Sequence, residues 1–253
     1  MLAFERKIQI VEFLRKHRVA SVSQLSKEFN VHETTIRRDL AELEKEGFLH
    51  RTHGGVVVDQ WFNSEPSFSE RANEQLDEKK RIGKKAAEMI EDGDHIILDS
   101  GTTTIHIARN LVNRSNITVV TNDINIAAEL RNAKGIRVIV TGGLLYHESF
   151  MLNGMITDQV LESLHVRKAF IATPAIHPQY GLTHPEAELV PTKQGMIRVA
   201  KEIFVVTDHT KIGKVSLHTV APIDQLHHLI TGSEAPESQI QQFKQADLNV
   251  VTV

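Results

Sequence analysis

The sequence predicts two folded units of different class. A small helical unit closed by a β-ribbon comes first, followed by an α/β domain on a mostly parallel sheet. Three observations carry this. Helical spacing through the first 45 residues stops at Gly47, and a glycine turn, His53-Gly54-Gly55, then separates two short apolar runs. From residue 78 onward, β-rich runs alternate with segments of helical period, the pattern of strand–helix repeats. At 253 residues the chain also exceeds one average domain.

In order, Phe4, Ile8, Val11 and Leu14 recur at helical spacing and end in the cluster Arg15-Lys16-His17-Arg18. Ser21-Val22-Ser23-Gln24 is a capping-box pattern, in which Ser21 caps a second helix running through Leu25 to Phe29. Asn30-Val31 makes a tight turn, and a third helix starts near His32 or Glu33. Its residues Ile36, Leu40 and Leu43 share one face, while Thr34, Arg38, Ala41 and Lys45 point the other way with Arg37 on the flank. Gly47 accepts the left-handed position that ends such a helix. Phe48 to Arg51 and Val56 to Val58 then flank the glycine turn.

Three short helices, a tight turn and a ribbon within residues 1–58 read as a winged helix-turn-helix. On that reading Thr34, Thr35, Arg37 and Arg38 lie along a DNA major groove, with Ser21 at the start of the second helix. Arg51, Thr52, His53 and Gly54 approach a backbone phosphate. The bland alternative is a solvated basic face. Charge leans the same way as the DNA reading: residues 1–55 hold 10 Lys/Arg against 8 Asp/Glu, although the whole chain carries −3.

Residues 59–77, with the single tryptophan Trp61, show no sustained period and read as a linker. The α/β domain is expected over 78–253, with strands at His95–Asp99, Ile117–Thr121, Ile136–Thr141, Lys168–Ala172, Ile203–Thr207, His228–Thr231 and Asn249–Val253. Helical spacing falls in Glu78–Ile90, Thr104–Leu111, Ile124–Arg131, Gln159–Leu164 and Gln194–Lys201. Ligands of such sheets sit at the carboxyl ends of the strands. Four of those ends are polar here: Asp99 to Thr104, Thr121-Asn122-Asp123, Thr141-Gly142-Gly143 and Thr207 to Lys211. Asp99-Ser100-Gly101-Thr102-Thr103-Thr104 runs straight into a helix, offering free N–H groups and hydroxyls to a phosphate. Taken singly, each such end is no more than a good helix cap. No Walker or dinucleotide fingerprint is present.

SVSQLSKEFNVHETTIRRDLAELEKEGFLHRTHGGVV resembles the N-terminal winged helix-turn-helix of the DeoR family of bacterial sugar-metabolism regulators. DSGTTT, TND, VTGG, TKQGMI and DHTKIG resemble the effector domain of the same family, which is similar in fold to ribose-5-phosphate isomerase. The resemblance implies a phosphosugar effector. It assigns Asp99, Gly101, Thr102 and Thr103 to a phosphate and hydroxyl loop, Asn122, Gly142 and Gly143 to the pocket wall, and Lys193 and Lys211 to positive charge. Departures stand at His32, where the family usually has a capping serine, at Leu144–His147, at Ala172–His177, and at Pro191, which interrupts the helix leading to Lys193.

The absence of cysteine excludes disulfides, thiolate metal sites, iron–sulfur clusters and cysteine nucleophiles. No apolar run approaches the ~20 residues of a membrane span. The first ten residues lack the apolar core of a signal peptide, so a cytoplasmic location is expected. His177, His184 and Glu188, or His227-His228, lack the spacing of a metal site, and no metal or cofactor is expected. The expected function is a transcriptional regulator, a repressor of a carbohydrate-utilisation operon released from operator DNA by a phosphorylated sugar. It acts as a homo-oligomer, dimer or tetramer, because one small reading head has too little contact for specificity. The alternative is a sugar-phosphate isomerase carrying a DNA-binding module. Against it, Asp99 has no second acid or base placed with equal specificity.

Overall fold

The structure, a computed structural model, describes residues 6, 7, 9–11, 13–14, 19–45, 49–52, 55–57 and 66–253. The chain divides into two compact units, Met1–Ser64 and Glu65–Val253. The readings placed on Phe4, Ile8, Arg15 to Arg18, Gly47, Phe48, His53, Gly54, Val58 and Trp61 lie outside the described residues.

In the first unit, every described position between 6 and 14 is helical. Strand β1 (Val19–Ala20), helix α1 (Val22–Glu28), helix α2 (Glu33–Lys45) and strands β2 (His50–Thr52) and β3 (Gly55–Val57) follow. The strands form one antiparallel sheet in the order β1-β3-β2. The predicted capping box is present: Gln24 N–H donates to Ser21 Oγ at 3.1 Å, and Ser21 N–H donates to Gln24 Oε1 at 2.8 Å. Asn30 turns the chain with φ +49°, a conformation asparagine tolerates, and the Ser26 hydroxyl donates to Val31 O at 2.7 Å to close the turn. Ile36, Leu40 and Leu43 are buried as their spacing requires, against Ile10, Leu14, Leu25, Leu49 and Val56. Beside this small core, the Arg6 guanidinium grips the buried Asp39 carboxylate with two bonds, 2.6 and 3.1 Å.

The second unit is organised by a seven-stranded parallel sheet containing all seven expected strands: β4 (His95–Leu98), β5 (Ile117–Thr121), β6 (Ile136–Val140), β9 (Val166–Ile171), β12 (Ala200–Val206), β14 (His228–Thr231) and β15 (Asn249–Thr252). Their spatial order is β15-β14-β12-β9-β4-β5-β6. Alternate residues serve opposite faces, as the pleat demands. Ile97, Ala169, Ile171 and Val205 join one apolar cluster with residues of helices α7 (Met155–Glu162), α8 (Val190–Arg198) and α9 (Glu237–Gln245). Ile96, Leu98, Phe170, Phe204 and Val206 join the other, with helices α4 (Leu76–Glu88), α5 (Thr104–Leu111) and α6 (Ile124–Leu130). Both faces are therefore covered, which is why these strands read as near-continuous apolar runs.

Several elements depart from the expectation. Helix α3 (Phe68–Asn73) occupies part of the stretch read as a linker, started by a second capping box between Ser67 and Glu70. Pro191 does not interrupt the helix leading to Lys193 but stands in its first turn, where the missing N–H has no intrahelical partner to lose. A hairpin of β7 (Leu144–Tyr146) and β8 (Met151–Asn153) and a small sheet of β10 (Ala175–His177), β11 (Gly181–His184) and β13 (His218–Ala221) were not expected. Three- and four-residue strands are too short to show alternation. Gly181 marks one of them, with φ +68° and only 2.1 Å between a would-be Cβ and Ala221 O. Among the described residues, no helix is long and apolar enough to cross a membrane.

Candidate functional site

Strand order decides where the carboxyl ends converge. The chain lays down β4, β5 and β6 in one direction, then returns to place β9 on the other side of β4 and continues outward through β12. The reversal between β4 and β9 is a topological switch point, where a crevice opens above the sheet. There the two connections pass very close: a Cβ on Gly101 would sit 2.5 Å from the Ala172 Cβ, so only glycine lets the β4 connection cross.

The crevice encloses only about 30 Å³ and opens to solvent at its mouth. Its wall takes Ser100, Thr102 and Thr103 from the end of β4, Thr173 and Pro174 from the end of β9, and Thr207 and Asp208 from the end of β12. Lys193 of α8 and Lys211 of the short 3-10 turn after Asp208 are the two predicted cations on it. Thr103 occupies the cap position of α5, yet its hydroxyl makes no capping bond. The Thr104 hydroxyl secures the turn instead, donating to Gly101 O at 2.9 Å. The hydroxyls of Thr102 and Thr103 thus remain on the wall without a protein partner among the described residues, beside the unpaired N–H groups of a helix start.

Asp99 lies behind this wall, fully buried. Its Oδ2 accepts from Lys193 Nζ at 2.5 Å and from Ala172 N–H at 3.1 Å, whereas its Oδ1 has no partner among the described residues. Burial pushes the Asp99 carboxyl above its ordinary range, with the Lys193 ammonium acting in the opposite direction. Lys193 also donates to Ala172 O at 2.9 Å, so the pair fixes β9's exit against β4.

Two further cations stand on the wall, Arg71 of α3 and Lys79 of α4. Sequence reasoning missed both, because it placed Arg71 in a linker and Lys79 on an ordinary helix. The Ser67-to-Glu70 capping box was the available signal for α3. Lys79 is only 2% exposed and donates to Arg71 O at 2.6 Å. Burial lowers its pKa, Asp208 opposes that, and Lys211 and Arg71 reinforce it. Four basic side chains, Arg71, Lys79, Lys193 and Lys211, thus line the crevice together with one carboxylate, Asp208.

Three predicted pocket residues lie elsewhere. Asn122 is tied to backbone on both sides of its amide, accepting from Ser100 N–H at 3.1 Å and donating to Leu152 O at 3.2 Å. Asn122 holds the β4 connection in place and does not line the crevice. Gly142 and Gly143, with φ +72° and +123°, carry the end of β6 into the hairpin. A Cβ on Gly143 would meet Thr157 Oγ1 at 2.4 Å, and the Thr157 hydroxyl donates to Gly142 O at 2.6 Å. Their ends of β5 and β6 lie one and two strands beyond β4, away from the switch point.

A separate group, Glu78, Asp208 and His209, brings one ligand-capable atom each within 4.8 Å. Hydrogen bonds already knit it: Glu78 accepts from His209 N–H (2.7 Å), from Gly232 N–H (3.1 Å) and from His209 Nδ1 (2.7 Å). His177 and His184 spend their Nδ1 atoms on the backbone N–H groups of Gln179 and Glu186.

On the first unit, α2 presents Thr34, Arg37 and Arg38 to solvent, with Thr35 half-buried. Arg37 pairs with Glu33 at 3.2 Å, and Arg38, whose side chain is 83% exposed, lies 3.4 Å from Glu42. Such exposed pairs are worth little and exchange readily for another anion. His32 stands in for the capping serine: its Nδ1 lies 3.0 Å from Thr34 Oγ1 and accepts weakly from Thr34 N–H at 3.4 Å. Ser21 spends its hydroxyl on the α1 cap. Arg51 and Thr52 belong to β2, whereas His53 and Gly54 fall outside the described residues.

Comparison with known proteins accounts for both units. Residues 6–61 match the DeoR-like helix-turn-helix domain, and residues 74–233 match the DeoR C-terminal sensor domain. The HTH-type transcriptional regulator YulB of Bacillus subtilis is 36% identical over 253 residues, 100% of this chain and 98% of its own. The HTH-type transcriptional repressor GlcR of the same organism is 36% identical over 227 residues, 90% of this chain and 87% of its own. Among solved structures, ribose 5-phosphate isomerase A from Methanocaldococcus jannaschii matches 54% of each chain at 18% identity, with a TM-score of 0.41.

Proposed function

The chain belongs to the DeoR family of helix-turn-helix transcriptional regulators, and from that premise we propose that it represses a carbohydrate-use operon and releases its operator when a sugar phosphate fills the β4/β9 crevice. It is a DNA-binding regulator and not an enzyme. The observation that carries the effector reading is the cluster of basic side chains, Arg71, Lys79, Lys193 and Lys211, on the same wall as the unpartnered Thr102 and Thr103 hydroxyls. A phosphate ester carries about −1.5 to −2 at neutral pH and accepts several strong bonds, which matches that set. The relative named as a repressor supports the direction of control.

The experiment is a titration of sugar phosphates into a complex of the full chain with DNA selected by it from a random pool. Thr103→Val keeps the β-branched shape and removes one hydroxyl. Loss of that bond to a charged acceptor weakens effector binding by about 1–3 kcal/mol, roughly ten- to hundred-fold, so release requires correspondingly more effector. Equal release by both proteins would show that the threonine faces no ligand. A sugar phosphate turned over rather than merely bound would overturn the regulatory reading itself.

On the DNA side, we assign recognition to the exposed face of α2, Thr34, Thr35, Arg37 and Arg38, with Arg51, Thr52, His53 and Gly54 following on the wing. Arg38→Ala leaves the core face of Ile36, Leu40 and Leu43 intact. It should cost about 1–3 kcal/mol of operator affinity, the worth of a bidentate base contact. Unchanged affinity in a gel shift at fixed salt would remove Arg38 from the interface. The proposed partner of each head is a second copy of the chain, associated through the second unit. There Leu144 and Met155 are 70% and 73% exposed and Ile156 is 57% exposed, all large apolar side chains. Sedimentation showing one chain per DNA would count against it.

A further inference from the structure

Strand β6 ends the parallel sheet, and among the described residues no strand pairs its outer edge. Thr141 N–H donates to Thr121 O on the β5 side at 3.1 Å. By the alternation of an extended strand, Val140 and Val138 therefore turn their N–H and C=O groups outward. The usual guards of such an edge are missing: Ile136 to Val140 hold no proline, keep an unbroken register with β5 and are β-branched at four of five positions. A groove runs beside this edge, lined by Ala127, Leu130, Ala133, Ile136, Val138 and Val140. Past the carboxyl end of β6 stand Leu144, Met155 and Ile156, with Ile156 Cγ2 only 3.5 Å from where a Cβ on Gly142 would be. Among the described residues seven large apolar side chains are exposed, and these three with Val140 are four of them, so the exposure gathers at one edge.

Charge says which partner fits. The amino end of the groove carries Arg131 and Lys134 and no carboxylate. Neither forms an ion pair among the described residues, Arg131 donating only to Ala128 O one turn back, whereas Arg81, Arg109, Arg114 and Arg167 all pair with carboxylates. At the other end, the exposed face of α7 runs Met155, Gln159, Glu162 at i, i+4 and i+7, without a cation. We infer that β6 pairs antiparallel with β6 of a second copy about a two-fold axis at Val138, joining the two sheets into one. This rests on the two-copy reading above and names its surface. Val138 then exchanges both backbone bonds with its counterpart, and Val140 meets the partner's Ile136. An axis normal to the sheet keeps both grooves on one face, where they merge over the new strand pair. It sets the apolar, acidic end of each copy against the cationic end of the other. The two cationic ends stay roughly 20 Å apart, beyond the ~8 Å screening length, whereas parallel alignment would stack them. Two complementary ends on one chain are satisfied together by that chain's own copy, which is what a closed two-fold contact requires.

The test is sedimentation and amide exchange on the full chain without DNA. Wild type should sediment as more than one chain at micromolar concentration. Its Val138 and Val140 amides, which face outward from a single copy, should exchange about a hundred-fold slower than in an open chain. Val138→Pro removes an outward N–H and leaves the β5 ladder whole, so the fold should persist while the dissociation constant of the pair rises at least about a hundred-fold. Val140→Lys, which puts a charge into the merged groove, should act in the same direction. Paired chains with unprotected Val138 and Val140 amides, or a Val140→Lys chain that associates like wild type, would overturn this surface and leave the two-copy reading standing. A wild-type chain that stays single would overturn both. Should Val138→Pro fail to fold, wild-type exchange and Val140→Lys still decide.

Discussion

Asp39→Ala should unfold the DNA-reading unit while leaving the effector unit able to bind its ligand. Asp39 is 3% exposed and receives both bonds of the Arg6 guanidinium. Truncating it leaves Arg6 buried without its counter-charge, a loss of about 3–5 kcal/mol for a pair out of water. A unit of this size holds only about 3–9 kcal/mol in total, at ~0.05–0.15 kcal/mol per residue. Its described apolar core is nine residues, from Ile10 to Val56, so there is little reserve. Operator binding should therefore vanish, and amide exchange in α2 should approach that of an open chain. Sugar-phosphate binding measured on the same sample should persist. Asp39→Met combined with Arg6→Met should recover much of the loss, since replacing both partners removes the unpaired charge. An Asp39→Ala protein with wild-type operator affinity would show that the pair contributes nothing to the head.

The contrast between Asp39 and its neighbours shows what local sequence can reveal. Ile36, Leu40 and Leu43 announce a buried face by spacing, and Arg38 announces the opposite one. Asp39 lies between Arg38 and Leu40 and reads as one more charge on a helix. Only the packing of residue 6 against residue 39 makes it a buried anchor, and no period records that.

The same limit governs the effector unit. All seven parallel strands were legible because each is a buried apolar run, and their order was not, because order is a property of pairing across the chain. Four polar strand ends looked equivalent in sequence. Pairing brings the ends of β4, β9 and β12 together and puts those of β5 and β6 to one side. Asn122, Gly142 and Gly143 thus lie off the crevice wall, while Arg71 came from a stretch with no visible period and Lys79 from a segment read only as a helix. Lys193 was placed through the resemblance of TKQGMI alone, whereas Lys211 also stood at the polar end of an expected strand.

Lys193→Met should produce the largest loss in the effector unit, and its dependence on pH identifies the cause. Asp99 is wholly buried, its Oδ1 is already unpartnered, and Lys193 supplies the cation at Oδ2. Removing that cation strands a carboxylate in the interior, at a cost of about 3–5 kcal/mol if it stays charged. The alternative is protonation. Burial already holds the Asp99 carboxyl above its ordinary range, and Lys193 is the first group opposing it, so the variant's Asp99 must rise further. A carboxyl whose folded pKa exceeds its unfolded value of about 3.9 binds more protons in the native state. Its contribution is full below about pH 3.9 and is lost as pH climbs through the folded pKa. Lys193→Met should accordingly lie closer to wild type at pH 5 than at pH 8 in denaturant unfolding. Adding Asp99→Asn should flatten that pH dependence and recover stability at pH 8, because no buried charge remains to be matched. The double variant should still fail to bind sugar phosphate, having lost a wall cation. If Lys193→Met is equally destabilised at pH 5 and pH 8, or if Asp99→Asn brings no recovery, the Asp99–Lys193 pair is not what fixes the switch point.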